Sequence, residues 1–156
     1  MDNEGKEQTR SLNTIYFYLT DGCNLRCRHC WIEPDFSPTG QQCTFIPLET
    51  MKSIITQAKP MGLTTVKLTG GEPLLHPAIH DILDYLRMEG LLGTGGTCAV
   101  CGILGIIGVL ANGSYAMCGI GETIPELILD NEHRDRLEDV WLNNPMTEIE
   151  KALSIT

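Results

Sequence analysis

Three thiols lie within eight residues in Cys23-Asn24-Leu25-Arg26-Cys27-Arg28-His29-Cys30, at the spacing C-x3-C-x2-C. Thiolates are soft ligands for iron and zinc. Three of them on one short loop can wrap one face of a cubane iron–sulfur cluster and leave its fourth iron without a protein ligand. An iron left open is a place to bind and transform a ligand. The competing reading is a tetrahedral zinc site with Cys43 as its fourth ligand. Taken alone, Cys43 reads as a buried or free thiol.

Such a loop must be delivered and held by regular structure. Thr14 to Leu19 alternates Ile15, Phe17 and Leu19 with Tyr16, Tyr18 and Thr20, which predicts a strand whose C-terminal end opens into the cysteines. In α/β sheets ligands sit at that end. After a long connection from Trp31 to Thr44, Pro47 suits a first helical turn. Leu48, Met51, Ile54, Ile55 and Ala58 then share one helical face until Pro60-Met61-Gly62. Thr64 to Leu68 predicts a second strand running into Gly70-Gly71-Glu72-Pro73, and Ile79, Ile82, Leu83 and Leu86 mark a second helix ending near Gly90. Strand, helix, strand, helix at this spacing is a parallel βαβ arrangement with right-handed crossover.

Past Gly90 the pattern changes. Leu91 to Thr97 is glycine-rich without a period, and Ile103 to Leu110 and Tyr115 to Ile120 flank Ala111-Asn112-Gly113-Ser114 as a hairpin turned at Asn-Gly. Leu137, Val140 and Trp141 fit one short helix, and Pro145 with Ile149 and Leu153 fits another. His76, His80 and His133 read as surface or helix-end residues. Glu138, Asp139, Glu148 and Glu150 read as a solvated face.

The chain has 156 residues, 42% apolar and 20% charged, which suits one ordinary domain, or one core with a small appendage, and argues against a disordered protein. Its formal net charge of -9 lacks the clustered Lys and Arg that phosphate neutralisation requires, so no nucleic-acid partner is expected, whereas a basic peptide is compatible. Met1 to Arg10 is polar, and the apolar run Cys98 to Ala111 is too short to span a bilayer, so the expected setting is cytoplasmic with no membrane partner. Seven cysteines in that setting read as metal or redox ligands, and the odd count agrees.

Cys23, Cys27 and Cys30, followed by Gly-Gly-Glu-Pro at the end of the next strand, resemble the radical S-adenosylmethionine enzymes. The resemblance implies a [4Fe–4S] cluster on the three cysteines, with S-adenosylmethionine chelated on the open iron. An external donor supplies the electron that cleaves the sulfonium to a 5′-deoxyadenosyl radical. Gly70, Gly71, Glu72 and Pro73 would then form the edge that receives the methionyl amino group. The glycines would let backbone approach the ligand, and Glu72 would face its ammonium. His29 occupies the place where the family usually carries an aromatic ring near the adenine; packing or hydrogen bonding within the loop is the alternative. Cys101, Gly113 and Cys118 resemble the first half of the SPASM pattern, found behind cores that modify ribosomally made peptides. That implies Cys101 and Cys118, with Cys98 a weaker candidate, as ligands of an auxiliary iron–sulfur cluster; inert remnants of such a site are the alternative.

Two departures shape the expectation. No cysteine follows Cys118, and Thr14 to Gly90 holds two βα units where the family's partial barrel has six. The expected fold is therefore α/β. Residues 1–92 form a truncated radical S-adenosylmethionine core, a partial parallel βα barrel of two units. Residues 93–156 form a partial SPASM-like region of a small β-hairpin and short helices. The join falls near Leu91 to Gly96, with the middle of the core absent. The second strand would present an unpaired parallel edge that invites self-association, with the Ile103 to Ile120 hairpin as a candidate cover. The expected function is maturation of a peptide substrate by adenosyl-radical chemistry. The rival is a non-catalytic iron–sulfur or peptide-binding remnant.

Overall fold

The computed structural model describes residues 11–28, 30, 43–92, 105–117, 128–131 and 136–142. Strand β1 runs over Thr14–Tyr18, helix α1 over Leu48–Ala58, strand β2 over Thr65–Thr69 and helix α2 over Ile79–Met88. Then come β3 at Ile106–Val109, β4 at Ser114–Met117, β5 at Ile128–Asn131 and α3 at Leu137–Leu142. Single 3-10 turns at Lys59–Met61 and Pro73–Leu75 end α1 and precede α2. The fold is α/β, with one open sheet in the order β2-β1-β3-β4-β5.

Strand β1 is central and parallel to both neighbours. Ile15 stands between Val66 of β2 and Ile107 of β3, and Phe17 between Leu68 and Val109. These rows face the helices. They join Met51, Ile54, Ile55 and Ala58 of α1, Ile79, Ile82 and Leu86 of α2, and Leu137, Val140 and Trp141 of α3 in one apolar core. Alternation sends the intervening residues to the other face, where Tyr18, Leu110 and Ala116 make a smaller cluster with Tyr16 beside it. There Lys67 donates to the Tyr16 hydroxyl at 3.0 Å, the two residues being register partners across β1 and β2.

The hairpin forms as its sequence predicts, with Gly113 N–H donating to Leu110 O at the turn. Its place in the sheet corrects the expectation that it covers the edge of β2. Strand β3 pairs instead with the other edge of β1, because that register sets Ile107 and Val109 in line with Ile15 and Phe17 over the helices. The outer edge of β2 is met at its start by Leu91 and Leu92: Val66 donates to Leu91 O at 2.9 Å and bridges Leu92 in parallel.

Strand β5 has no counterpart in the sequence reading. It is four residues long, its Ile128 is 42% exposed, and it pairs with β4 through an irregular register. Its sequence, Ile-Leu-Asp-Asn, lacks the apolar–polar alternation that announces a strand. Helix α3 matches its predicted apolar residues, and its Leu137 N–H donates to the Gln57 side chain of α1 at 3.2 Å. The further helix expected from Pro145 to Leu153 lies outside the described residues. No described helix is long and apolar enough to cross a membrane.

Trp141 is 1% exposed and anchors α3 on this core. Replacing it by Ala removes the largest buried side chain among the described residues, so Trp141→Ala should lower unfolding stability by about 3–5 kcal/mol in urea titration. A loss below about 1 kcal/mol would mean that α3 does not pack there.

Candidate functional site

The C-terminal ends of β1 and β2 run on together past the sheet. Leu19 donates to Thr69 O at 2.9 Å, Gly71 to Thr20 O at 2.8 Å and Glu72 to Gly22 O at 2.9 Å. The approach demands both glycines. A Cβ on Gly71 would lie 2.0 Å from Gly22 O, and one on Gly70 would lie 2.5 Å from Thr20 O, where φ is also +109°. A reason for Gly-Gly thus lies within the protein's own backbone, beside any approach to a ligand. The cysteine loop begins at the next residue, Cys23, so the Gly-Gly-Glu edge and the loop share one root.

A third stretch closes around that root. Ile46 donates to Leu19 O at 3.1 Å, Thr20 and Phe45 form an antiparallel bridge, and Thr44 N–H donates to the Asp21 carboxylate at 2.7 Å. Cys43 is half-buried, its sulfur against Gly22, where a Cβ would come within 2.2 Å of it. Thr20, fully buried, holds the turn by accepting the Gly22 N–H on its hydroxyl at 3.0 Å.

Cys23 is half-buried, Cys27 and Cys30 are exposed, and none of the four described cysteines is in a disulfide. Cys23 Sγ accepts the Leu25 N–H at 3.3 Å, and Cys30 N–H donates to Cys27 O at 3.2 Å. Among the described residues no three His, Cys, Asp or Glu side chains converge on a metal site, the three cysteines included. They are displayed along one loop, and ligation itself can draw them together, since metal binding is coupled to local folding. An all-thiol donor set on an accessible loop fits an iron–sulfur cluster.

Glu72 caps the Pro73–Leu75 turn, its Oε1 accepting the Leu74 N–H at 2.9 Å. A carboxylate offers about four acceptor sites, so this cap leaves capacity for an ammonium group. His29, Cys98, Cys101 and Cys118 lie outside the described residues.

His76, read from sequence as a surface or helix-end residue, does stand at a helix end, between the Pro73–Leu75 turn and α2, but not on the surface: it is 4% exposed, sits edge-on to Phe45 at 5.5 Å, and bonds to Ile46 O at 2.8 Å and to the Ala78 N–H at 3.1 Å. The one available signal was its place just before α2. No periodicity in Leu74-Leu75-His76-Pro77 marks it as inward-facing.

The family model of the radical SAM superfamily matches residues 17–115. The GTP 3′,8-cyclase of Syntrophomonas wolfei subsp. wolfei is 34% identical over 77 residues, which are 49% of this chain and 23% of that protein. The antilisterial bacteriocin subtilosin biosynthesis protein AlbA of Bacillus subtilis is 36% identical over 70 residues, 45% of this chain and 15% of the relative. The chain thus spans less than a quarter of the length of either relative. The crystal structure of BtrN in an open conformation is alike in fold, with a TM-score of 0.58 at 16% identity over 90% of this chain and 84% of that one.

The root geometry is open to a direct check. Gly71→Ala forces β2's exit off Gly22 and should cost about 2–3 kcal/mol in chemical denaturation. Gly90→Ala, at φ +69° with nothing within 4 Å, should cost only its backbone strain, about 1–2 kcal/mol. Equal losses would mean that the two exits are not closely packed.

Proposed function

This chain belongs to the radical SAM superfamily, and from that membership we propose that Cys23, Cys27 and Cys30 hold a [4Fe–4S] cluster and that Gly70, Gly71, Glu72 and Pro73 receive S-adenosylmethionine. The observation that carries this reading is the pair of backbone bonds from Gly71 to Thr20 and from Glu72 to Gly22. They keep the proposed cofactor edge beside the root of the thiol loop. With both bound, the cluster and S-adenosylmethionine supply a 5′-deoxyadenosyl radical for hydrogen abstraction. The protein's own part is binding and orientation. The cysteines would hold the cluster, the Gly-Gly backbone would set the edge, and Glu72 would offer its carboxylate to the methionyl ammonium. An external electron donor is required. Reduced thiols suit a cytoplasmic setting.

The finer reading is a maturase of the SPASM-associated kind. In it Cys101 and Cys118, with Cys98 as the weaker candidate, belong to an auxiliary iron–sulfur site in residues 93–156, behind a core at 1–92. Support comes from the spacing of Cys101, Gly113 and Cys118, and from the likeness to a bacteriocin biosynthesis protein. The net charge of -9 suits a basic peptide substrate.

A second reading, a non-catalytic iron–sulfur or peptide-binding remnant, is favoured by the sheet itself. The described parallel strands are β2, β1 and β3, and radical chemistry needs a site closed to water. A second copy of the chain pairing at the edge of β2 is one way to supply the enclosure.

Anaerobic reconstitution separates these readings. About four iron and four sulfide per chain should bind at this site and be lost in Cys27→Ala. The paramagnetic signal of the dithionite-reduced cluster should shift on adding S-adenosylmethionine, with 5′-deoxyadenosine released. Glu72→Gln should weaken the response about tenfold. A cluster that ignores S-adenosylmethionine would favour the remnant, and zinc without iron would overturn both.

A further inference from the structure

Three stretches of chain meet at the root of the cysteine loop: Leu19–Gly22 leaving β1, Thr69–Glu72 leaving β2, and residues 43–46 returning from the loop. Main-chain N–H groups join the first stretch to each of the others. His76 joins the second to the third. Its own N–H donates to Pro73 O at 3.1 Å, closing the turn that follows Glu72, and its carbonyl accepts the Ile79 N–H at 3.1 Å where α2 begins. Its ring reaches across to Ile46 O.

The ring has one tautomer that satisfies both contacts. The Ala78 N–H can only donate, so Nδ1 is bare and accepts; Nε2 therefore carries the proton and donates to Ile46 O. Ile46 in turn donates to Leu19 O. Thus the turn, the returning chain and β1 are linked in series through a single buried side chain. A backbone carbonyl buried here without a donor would be costly, which gives the histidine a use beyond filling space.

We infer that His76 is a positioning residue, locking the Pro73–Leu75 turn, which follows directly on Gly70–Glu72, to the chain returning from Cys23–Cys30 and so holding cofactor edge and thiol loop in one frame. The functional half rests on the cofactor reading above. The tether stands on the hydrogen bonds alone. It acts through Ile46.

Two side chains divide its roles. His76→Gln can place an amide N–H where Nε2 was and keep the Ile46 bond; His76→Asn can keep the acceptor for Ala78 but falls short of Ile46. Alkylation of Cys43 by iodoacetamide, read by mass spectrometry, reports release of the returning chain and needs no cluster. The Cys43 rate should rise about three- to tenfold in His76→Asn and stay within about twofold of wild type in His76→Gln. At equal iron content, S-adenosylmethionine affinity by equilibrium dialysis should fall about three- to tenfold in the Asn variant and be rescued in the Gln variant.

Nitrogen NMR of the wild-type chain labelled at histidine should show His76 with Nε2 protonated and Nδ1 bare, a result that does not depend on either variant folding. An Nδ1-protonated ring, or Cys43 labelling unchanged in His76→Asn, overturns the tether. Affinity unchanged in the Asn variant while labelling rises overturns the positioning role and leaves the tether. A wild-type cluster that ignores S-adenosylmethionine overturns the cofactor reading and the positioning role with it, while tautomer and labelling still decide the tether.

Discussion

Everything at the candidate site depends on how closely two backbones approach beyond the ends of β1 and β2. Thr20 and Gly22 accept from Gly71 and Glu72, and only residues without a Cβ fit at 70 and 71. Each such bond contributes about 0.5–1.5 kcal/mol net, whereas burying one of Ile15, Phe17 or Leu19 contributes about 1.5–3 kcal/mol. The core therefore supplies the stability and the glycines supply the geometry. A side chain at 71 would leave the sheet intact and still separate the edge from the loop, because the clash lies beyond the last paired strand residues, Tyr18 and Thr69.

The sheet order makes β1 the fixed point of the molecule. Both of its edges are paired in parallel, and its alternate side chains face the helices, so its C-terminal end is constrained from three directions. The hairpin's docking on β1 serves this end. Had β3 gone to the outer edge of β2, one edge of β1 would be unpaired along the strand that carries the thiols. The helices contribute along the same line: α1 and α2 pack over the sheet, and Lys59 of the turn after α1 pairs with Glu89 at the end of α2.

Where local pattern and tertiary role coincide, the sequence was legible. The alternation in β1, the spacing of Leu48, Met51, Ile54, Ile55 and Ala58 in α1, and the Asn-Gly hairpin all appear as read. The root of the cysteine loop, Thr20–Gly22, does lie against Gly71 and Glu72 at the end of β1. What escaped reading was set by partners distant in sequence. The side of the sheet taken by β3 follows from matching two apolar rows across some ninety residues, which no local period encodes. Strand β5 is defined by its backbone pairing with β4, and His76 by a carbonyl thirty residues away. The glycines were recognised as significant on a ligand's account, while their first constraint is a neighbouring strand.

A rigid root beneath exposed thiols has a thermodynamic sense. Gathering three cysteines from a disordered chain would cost backbone ordering of about 1–2 kcal/mol per residue. Here β1, the Gly-Gly edge and residues 43–46 already fix the two flanks of the segment that carries the thiols, so part of that cost is met by the fold in advance. Metal binding energy is large beside such a remainder. A loop whose tip is left for the metal to shape, on a base that the fold shapes in advance, lets ligation set the thiol geometry without moving the edge. The same division explains why Cys27 and Cys30 are exposed while Thr20, Ile46 and His76 at the root are buried. The fold spends its packing where position must be held and leaves open the groups that a cluster would enclose.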